Sequence, residues 1–383
     1  MKILYHCSLA DGGLALYSQH HAAAIAAVEG VQVLWHAPET LRPPEQCQRV
    51  APLELPRRKP ARGRMRRAID FYSDTLSPYR ELTSLAEALR PDAVILSCWG
   101  EYFAPLWAPQ LGRLRKGGVK VAAVVHDPVR SFVRGPKWLH DWSLNEACGV
   151  LDVALVHDAG IARHFGLYDR SRILEVPHGP YPVPVGAVSK EQLRQELSIP
   201  LNAMVLLSFG HIRDGKNLDE IIAALPSLPS AHLLVAGREQ SAGQKPAAHY
   251  QELASRLGVA ARCHWHTSYI PNEEVWKYFR ASDVLLLTYS PDFFSASGVL
   301  NVNAQFGLPV LASAGAGPLL DAVKQYQLGV ILLKPDANSI AQATPAVLRI
   351  KGEWQKFAEE NSWRINAERV VRALSEQADG AKS

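Results

Sequence analysis

Between Ser208 and Asn217 the chain reads SFGHIRDGKN, an apolar strand pattern that ends in Gly210 and turns into a loop carrying Arg213 and Lys216. Glycine lets a ligand come close to backbone, and two cations three residues apart can converge on one phosphate, arginine as a bidentate fork and lysine as a mobile point charge. The Walker pattern G-x-x-x-x-G-K-[ST] is absent, and a solvated loop with unrelated charges is the plain alternative. A second segment, SASGVLNVN from Ser295 to Asn303, opens on small residues and continues in a helical pattern from Gly298 to Phe306. Amides at a helix N-terminus favour an anion, and Ser295 or Ser297 could both cap the helix and donate to a phosphate oxygen; capping alone explains the same residues. Third, His126 closes an apolar run and is followed by Asp127 and Pro128. An imidazole there could orient a hydroxyl while Asp127 holds its tautomer or acts directly, against the alternative of a satisfied structural histidine.

These residues need strands to end on and helices to begin from, and the pattern supplies both. Apolar runs fall at 2–6, 31–36, 93–97, 119–125, 153–157 and 173–176, then again at 205–209, 232–236, 262–266, 284–288, 310–312 and 330–333. Amphipathic stretches separate them, for example 14–28, 84–89, 138–147 and 161–165. Val/Ile/Leu-rich strands without polar alternation are buried on both faces, and their alternation with helices predicts doubly wound parallel sheets. The pattern occurs twice, divided at residues 177–189 by PHGPYPVPVGAVS, where four prolines mark a stiff linker. His178 sits in that linker, with many structural uses open to a hinge histidine. The adjacent His20 and His21 fall in a helical stretch, where neighbours point apart, and do not read as a metal site.

Composition narrows the class. The chain has 383 residues, 48% apolar and 20% charged, which excludes disordered and fibrous classes and suits two or three domains. Its net charge of +4 is local: the run from Arg57 to Arg67 (RRKPARGRMRR) carries seven cations and no acid, so the rest nets −3. Met65, Ile69 and Tyr72 follow at helical spacing with Phe71 beside them, the composition of an interfacial helix on anionic lipid; a solvated loop is the alternative, and nucleic acid is disfavoured for want of stacking aromatics. Five scattered cysteines, Cys7, Cys47, Cys98, Cys148 and Cys263, form no C-x-x-C pair, so neither a disulfide framework nor a zinc site is expected and a reducing compartment fits. The N-terminal ILYHCSLADGG reads as a strand rather than a leader, and no apolar run approaches the ~20 residues that span a bilayer.

The ordered set FGHIRDGKNLDEIIAAL, LLVAGREQ and YIPNEEVWKYFRASDVLLLTYSPDFFSASGVLNVNAQFGLPVLAS resembles the donor domain of family-4 glycosyltransferases of the GT-B fold. The first half resembles that family more loosely, through Asp11-Gly12-Gly13 after the first strand and through His126-Asp127. The resemblance implies a donor diphosphate bound by Gly210, Arg213 and Lys216, a distal phosphate held at Ser297, Gly298 and Val299, a base flanked by Tyr269 and Ile270, and Gly12 and Gly13 in the loop near the donor. His126 would face the acceptor and the donor sugar, and catalysis would fall to His126, Asp127, Arg213 and Lys216. Where the family carries Glu-x7-Glu, this chain has Ser295 and Asn303. Asparagine can still hydrogen-bond a ribose, whereas serine offers no charge to a reacting sugar.

The fold expected is therefore α/β, GT-B, two Rossmann-like parallel-sheet domains facing across a cleft. Residues 1–184 would bind acceptor, joined by a returning helix at roughly 356–378, and 185–355 would bind the donor. The activity implied is retaining transfer of a hexose from a UDP- or GDP-linked sugar to a glycan or lipid-linked acceptor, without cofactor or bound metal. Cell-surface polysaccharide or glycoconjugate synthesis is the setting implied. A cytoplasmic protein touching the inner face of the membrane through Arg57 to Arg67 is the expected location. A nucleotide-sugar-binding scaffold without catalysis and a GT-B sugar-nucleotide epimerase are the alternatives.

Overall fold

The structure, a computed structural model, describes residues 1–54, 64–100, 102–127, 136–164, 172–240 and 243–379. The chain divides into two units, Met1–Gly179 with Ser362–Ser383, and Pro180–Asn361.

The first unit begins with β1 (Lys2–Cys7), α1 (Gly13–Ala26), β2 (Gln32–His36), β3 (Gln48–Arg49), α2 (Arg64–Leu89) and β4 (Ala93–Cys98). It continues with α3 (Ala104–Lys116), β5 (Lys120–Val125), α4 (Lys137–Gly149), β6 (Val153–Val156), α5 (Ala159–His164) and β7 (Ile173–Glu175). β4 and β6 are buried at every residue and β1 and β5 at all but the first, so both sheet faces are covered. That burial is why these runs lack polar alternation. The sheet is parallel throughout, in the order β3-β2-β1-β4-β5-β6-β7. Direction of winding reverses between β1 and β4, and the crevice beyond the carboxyl ends of such strands is where open α/β sheets take ligands. The two-residue edge strand β3 escaped the sequence reading because two residues carry no periodicity.

The second unit comprises α6 (Lys190–Glu196), β8 (Met204–Phe209), α7 (Leu218–Ala224), β9 (Ala231–Ala236), α8 (Ala247–Arg256), β10 (Cys263–His266), α9 (Asn272–Ala281) and β11 (Val284–Thr288). It ends with α10 (Gly298–Asn303), β12 (Val310–Ser313), α11 (Pro318–Gln325), β13 (Gly329–Ile331), α12 (Ala337–Val347) and α13 (Trp354–Glu360). Its parallel sheet runs β10-β9-β8-β11-β12-β13, the same winding, with the reversal at β8 and β11. α6 opens on a capping box, Ser189 accepting from Gln192 N while the Gln192 side chain accepts from Ser189 N.

The final helix, α14 (Trp363–Asp379), returns to the first unit and packs on α1 and β6. Asn366 Nδ2 donates to Pro177 O at 2.7 Å, and Trp363 lies so close to Gly179 that any Cβ there would overlap its indole. The units therefore part at Gly179 and at Asn361, not after 184 and 355. α13 stays with the second unit because the Tyr326 hydroxyl, beside β13, donates to Glu360 at 2.7 Å. Among the described residues no helix is long and apolar enough to cross a membrane. Of the basic run, residues 57–63 lie outside the described residues, and from Arg64 to Arg67 only helical backbone is described.

Candidate functional site

At the switch point of the second unit, β8 ends in Phe209 and the chain turns left-handed at Gly210 (φ 88°). Glycine suits that position for its φ. A Cβ at Gly210 would stand 3.5 Å from Lys216 Nζ and 3.7 Å from Val299 Cγ2, so the strand end, the cation and the start of α10 converge on one point. Gly237, ending β9, approaches so closely that a Cβ would overlap the Gly210 carbonyl. The following turn, Asp214–Lys216, is held from both sides: the Asp214 carboxylate accepts from Lys245 N at 2.9 Å, and Ser290 N donates to Gly215 O at 2.9 Å. Asn217, left-handed at φ 52°, donates from Nδ2 to Thr288 O at 2.9 Å and ties the turn to the end of β11.

This scaffold fixes two cations. The Arg213 guanidinium lies 5.6 Å from the ring centres of both Tyr289 and Phe293, within cation–π range. Lys216 is only 7% exposed, and its ammonium donates to Phe209 O. Burial, and then the nearby positive charge of Arg213, pull the Lys216 ammonium down to about 7. Among the described residues no carboxylate pairs with either cation. A buried ammonium beside a guanidinium and without an anion of the chain's own is unstable unless something anionic is supplied from outside.

Around these cations the other expected residues fall unevenly. Ser297 caps α10, accepting from Leu300 N at 3.3 Å, and its hydroxyl lies 3.3 Å from that of Tyr289. Its side chain is thus spent on the protein, leaving the backbone of Ser297, Gly298 and Val299 as the part that can meet a ligand. Ser295 is half-buried in the loop before it, and Ile270 half-buried after β10. Asn303 requires a correction: it is wholly buried, Nδ2 donating to Leu308 O at 2.7 Å and Oδ1 accepting from Leu308 N at 3.2 Å, so it cannot serve a ribose. The same residue ends α10 three residues before Phe306, its carbonyl accepting from both Phe306 N and Gly307 N.

Farther along the same strand ends, Tyr269 is exposed and carries the Arg238 guanidinium 5.5 Å from its ring centre. Arg238 Nε lies 3.4 Å from His211 Nε2. Neither His211 nor Arg238 stood out in the sequence, although each directly follows a strand-ending glycine.

The first unit has its own crevice. Gly12 (φ 91°) and Gly13 open α1, and a Cβ on either would meet nothing within 4 Å. His126, just past β5, faces the edge of Tyr17 at 4.6 Å between ring centres, and Asp127 beside it is exposed. Tyr17 is the hub of an aromatic cluster: His157 stands at 5.6 Å, His178 at 5.1 Å, His21 at 5.4 Å and Trp363 at 4.9 Å. His157 Nδ1 donates to Val176 O at 3.1 Å and His178 Nδ1 to Gly179 O at 3.0 Å, which fixes both tautomers. Burial pulls down His21 (to about 3), His157 and His178, and the cost of a second positive charge beside His157 lowers His21 and His178 further, so the cluster stays neutral at pH 7. The hinge histidine His178, open to many structural uses in the sequence, is therefore packed beside His157 and against Tyr17, the partner of His126.

The comparisons with known proteins agree with this geometry. A model of the family described as glycosyl transferases group 1 matches residues 189–368. The whole chain resembles the structure of sucrose-phosphate synthase from Thermosynechococcus elongatus, with a TM-score of 0.72 at 18% identity over 99% of both chains. Residues 189–368 thus match the glycosyl transferases group 1 family, and the chain has the GT-B fold of the glycosyltransferase structures it resembles. It is also similar to HepE of Anabaena in complex with UDP-glucose, at a TM-score of 0.69 and 14% identity over 99% of this chain and 100% of that one. A curated relative, D-inositol 3-phosphate glycosyltransferase of Mycobacterium marinum, is 27% identical over 164 residues, 42% of this chain. The match spans only 34% of that relative's length. The switch-point residues Gly210, Arg213, Lys216 and Val299 belong to the half that the family model covers, and His126 to the half it does not.

Proposed function

We propose that this chain transfers a hexose from a UDP- or GDP-linked sugar to a hydroxyl of a glycan or lipid-linked acceptor, with retention of configuration. The observation that carries the reading is the pair Arg213 and Lys216, one cation nearly buried and neither paired with a carboxylate among the described residues, at the switch point of a Rossmann-like sheet. A diphosphate is the anion whose charge and size suit two convergent cations together with the amides of Ser297 to Val299. α10 has six residues, so those amides act as individual donors rather than through a large macrodipole.

In the step proposed, the acceptor oxygen attacks the anomeric carbon on the face from which the diphosphate departs. The bond from that carbon to the phosphate oxygen breaks with its electron pair going to the diphosphate. The acceptor proton passes to the departing phosphate oxygen. Arg213 and Lys216 hold the charge that develops there, the part a divalent cation plays elsewhere. His126, kept in place by Tyr17, orients the acceptor or a sugar hydroxyl, and no protein nucleophile takes part. Ser295 brings no charge near the sugar, which favours a transition state stabilised chiefly from the phosphate side. Similarity to a structure holding UDP-glucose supports the UDP arm of the proposal.

The test is nucleoside-diphosphate release from UDP-glucose and GDP-mannose by the full chain and by Arg213→Ala. The variant should lose at least about 100-fold in turnover with an unchanged unfolding transition, the scale seen on removing one charge-stabilising donor. Turnover within threefold of the unsubstituted chain would refute the assignment. Selective nucleotide binding by the unsubstituted chain, with no turnover of any donor, would instead favour a non-catalytic scaffold.

A further inference from the structure

The switch point of the first unit carries chemistry that sugar transfer does not use. Cys7 closes β1 and Cys98 closes β4, and these two strands are hydrogen-bonded neighbours. Their register runs evenly from Ile3 opposite Ala93 to His6 opposite Leu96, then slips by one residue so that Cys7 stands opposite Cys98. Without that slip Cys7 would face Ser97, so the irregularity is what sets two thiols side by side. Adjacent strands lie about 4.8 Å apart, inside the roughly 4.4–6.8 Å between Cα atoms that a disulfide bridges. The side chains also share surroundings: Ser18 Oγ of α1 lies 3.9 Å from Cys98 Sγ, and Cys98 and Ser18 both act on the Cys7 thiol. Both cysteines are free thiols, with Cys7 fully buried and Cys98 7% exposed.

We propose that Cys7 and Cys98 form a reversible disulfide when the chain meets a hydroperoxide, and that this bond alters the loop leading to Gly12 and Gly13. A Cys7 thiolate attacks one peroxide oxygen, the O–O bond breaks, and Cys7 sulfenic acid and hydroxide are formed. The Cys98 thiol then attacks that sulfur, the S–S bond forms, and the sulfenic oxygen leaves as water with the thiol proton. The two thiols supply the two electrons that reduce the peroxide. Selectivity follows from thiolate character: hydrogen bonding to Cys98 holds the Cys7 thiol down to about 7, whereas burial pushes Cys47 up to about 12 and Cys263 up to about 11. The Cβ atoms must draw in from strand spacing towards about 3.8 Å, so the bond is strained and easily reduced, a switch rather than a staple.

The loop senses the change because it hangs from the same two residues. The Cys7 thiol donates to Leu9 O at 3.7 Å, and Ser8 Oγ donates to Cys98 O at 3.3 Å. Closing the disulfide removes the first of these contacts and shifts the second, at the start of the loop that delivers Gly12 and Gly13 to α1. This effect on turnover rests on the proposed transferase reading; the bond itself does not.

The full chain is treated with hydrogen peroxide and its thiols counted after denaturation, with intact mass and peptide mapping alongside. The five thiols should fall to three, with loss of two hydrogens and a cross-linked peptide joining Cys7 to Cys98, reversed by dithiothreitol. Cys7→Ser and Cys98→Ser should each abolish the cross-link, and mapping of the unsubstituted chain decides the matter where a variant fails to fold. A thiol count that stays at five, oxygen added to Cys7 without a cross-link, or a bridge between other cysteines would overturn the proposal. UDP-glucose turnover should drop at least fivefold in the cross-linked form and return on reduction; unchanged turnover with the cross-link in place would overturn the effect on the loop. A reduced chain with no turnover at all would count against the transferase reading and leave the cross-link result standing.

Discussion

The buried ammonium of Lys216 makes diphosphate binding a proton-uptake reaction. Its affinity for a proton in the unliganded fold is drawn from the usual lysine range down to about 7, first by burial and then by Arg213. At pH 8 such a group is about nine-tenths neutral, and a diphosphate seated against it restores the charge, so binding should take up about 0.9 proton at pH 8 and about 0.5 at pH 7. Between pH 7 and pH 9 the apparent affinity for UDP should then fall about 50-fold, a little over 2 kcal/mol, from the Lys216 proton alone. Calorimetry of UDP binding in two buffers of different ionisation enthalpy reads the uptake directly. Lys216→Arg, always charged, should bind with uptake near zero at both pH values. Uptake below about 0.2 proton at pH 8, together with a dissociation constant that moves less than threefold from pH 7 to pH 9, would refute the claim that Lys216 meets the diphosphate.

Four further outcomes follow from the same contacts. Lys216→Met should stabilise the unliganded protein at pH 7 by up to about 4 kcal/mol, measured by urea midpoint, while UDP no longer raises the melting temperature; the folded lysine binds its proton more weakly than the unfolded one, so the penalty that the substitution removes is full below about pH 7 and fades as pH rises towards 10.5. Below pH 6.5 the first unit should weaken, because His21, His157 and His178 bind protons less readily folded than unfolded; His21 alone contributes a loss of about 1.4 kcal/mol per pH unit until it titrates near pH 3, and a flat urea midpoint from pH 7 to pH 5 would contradict the cluster's burial. Gly179→Ala should cost about 2–4 kcal/mol by overlap with Trp363, whereas Gly12→Ala meets nothing within 4 Å and its cost, about 1–3 kcal/mol, should come from the backbone alone, whose φ of 91° and ψ of 179° are nearly confined to glycine. Arg238→Ala should raise KM for the nucleotide sugar several-fold with little change in kcat if the Arg238–Tyr269 pair flanks the base, and an equal fall in kcat would place it at the reacting atoms instead.

What could be read in advance was what is written locally. Runs such as VLLLT and VALV have no polar face to show, since helices cover both sides of their sheets, and this alone placed twelve of the strands and the doubled winding. The turn around Arg213 and Lys216 was legible because glycine, both cations and the next helix fit within ten residues of chain. Asn303 was misread for the converse reason. Its spacing from Ser295 pointed to a ribose, but its amide is taken by Leu308, a partner that only the turn after α10 brings back. Tertiary assembly also hid the Tyr17 cluster, whose members arrive from α1, from the ends of β5 and β6, from the segment after β7 and from α14.

The two switch points then show how one winding supports different chemistry. In each sheet the crevice opens where the first strand of the unit meets the fourth. The second unit fills that position with Gly210 and a cation, Lys216, whose ammonium donates to the backbone carbonyl of Phe209. The first unit fills it with Cys7 and Cys98, and the β-bulge at Ser97 turns what would have been a Cys–Ser pair into a dithiol. Backbone geometry at a strand end, rather than the residue types alone, decides which side chains become neighbours. That is why a cysteine pattern that excluded a disulfide framework by spacing still makes one pair direct neighbours once parallel strands are laid in register.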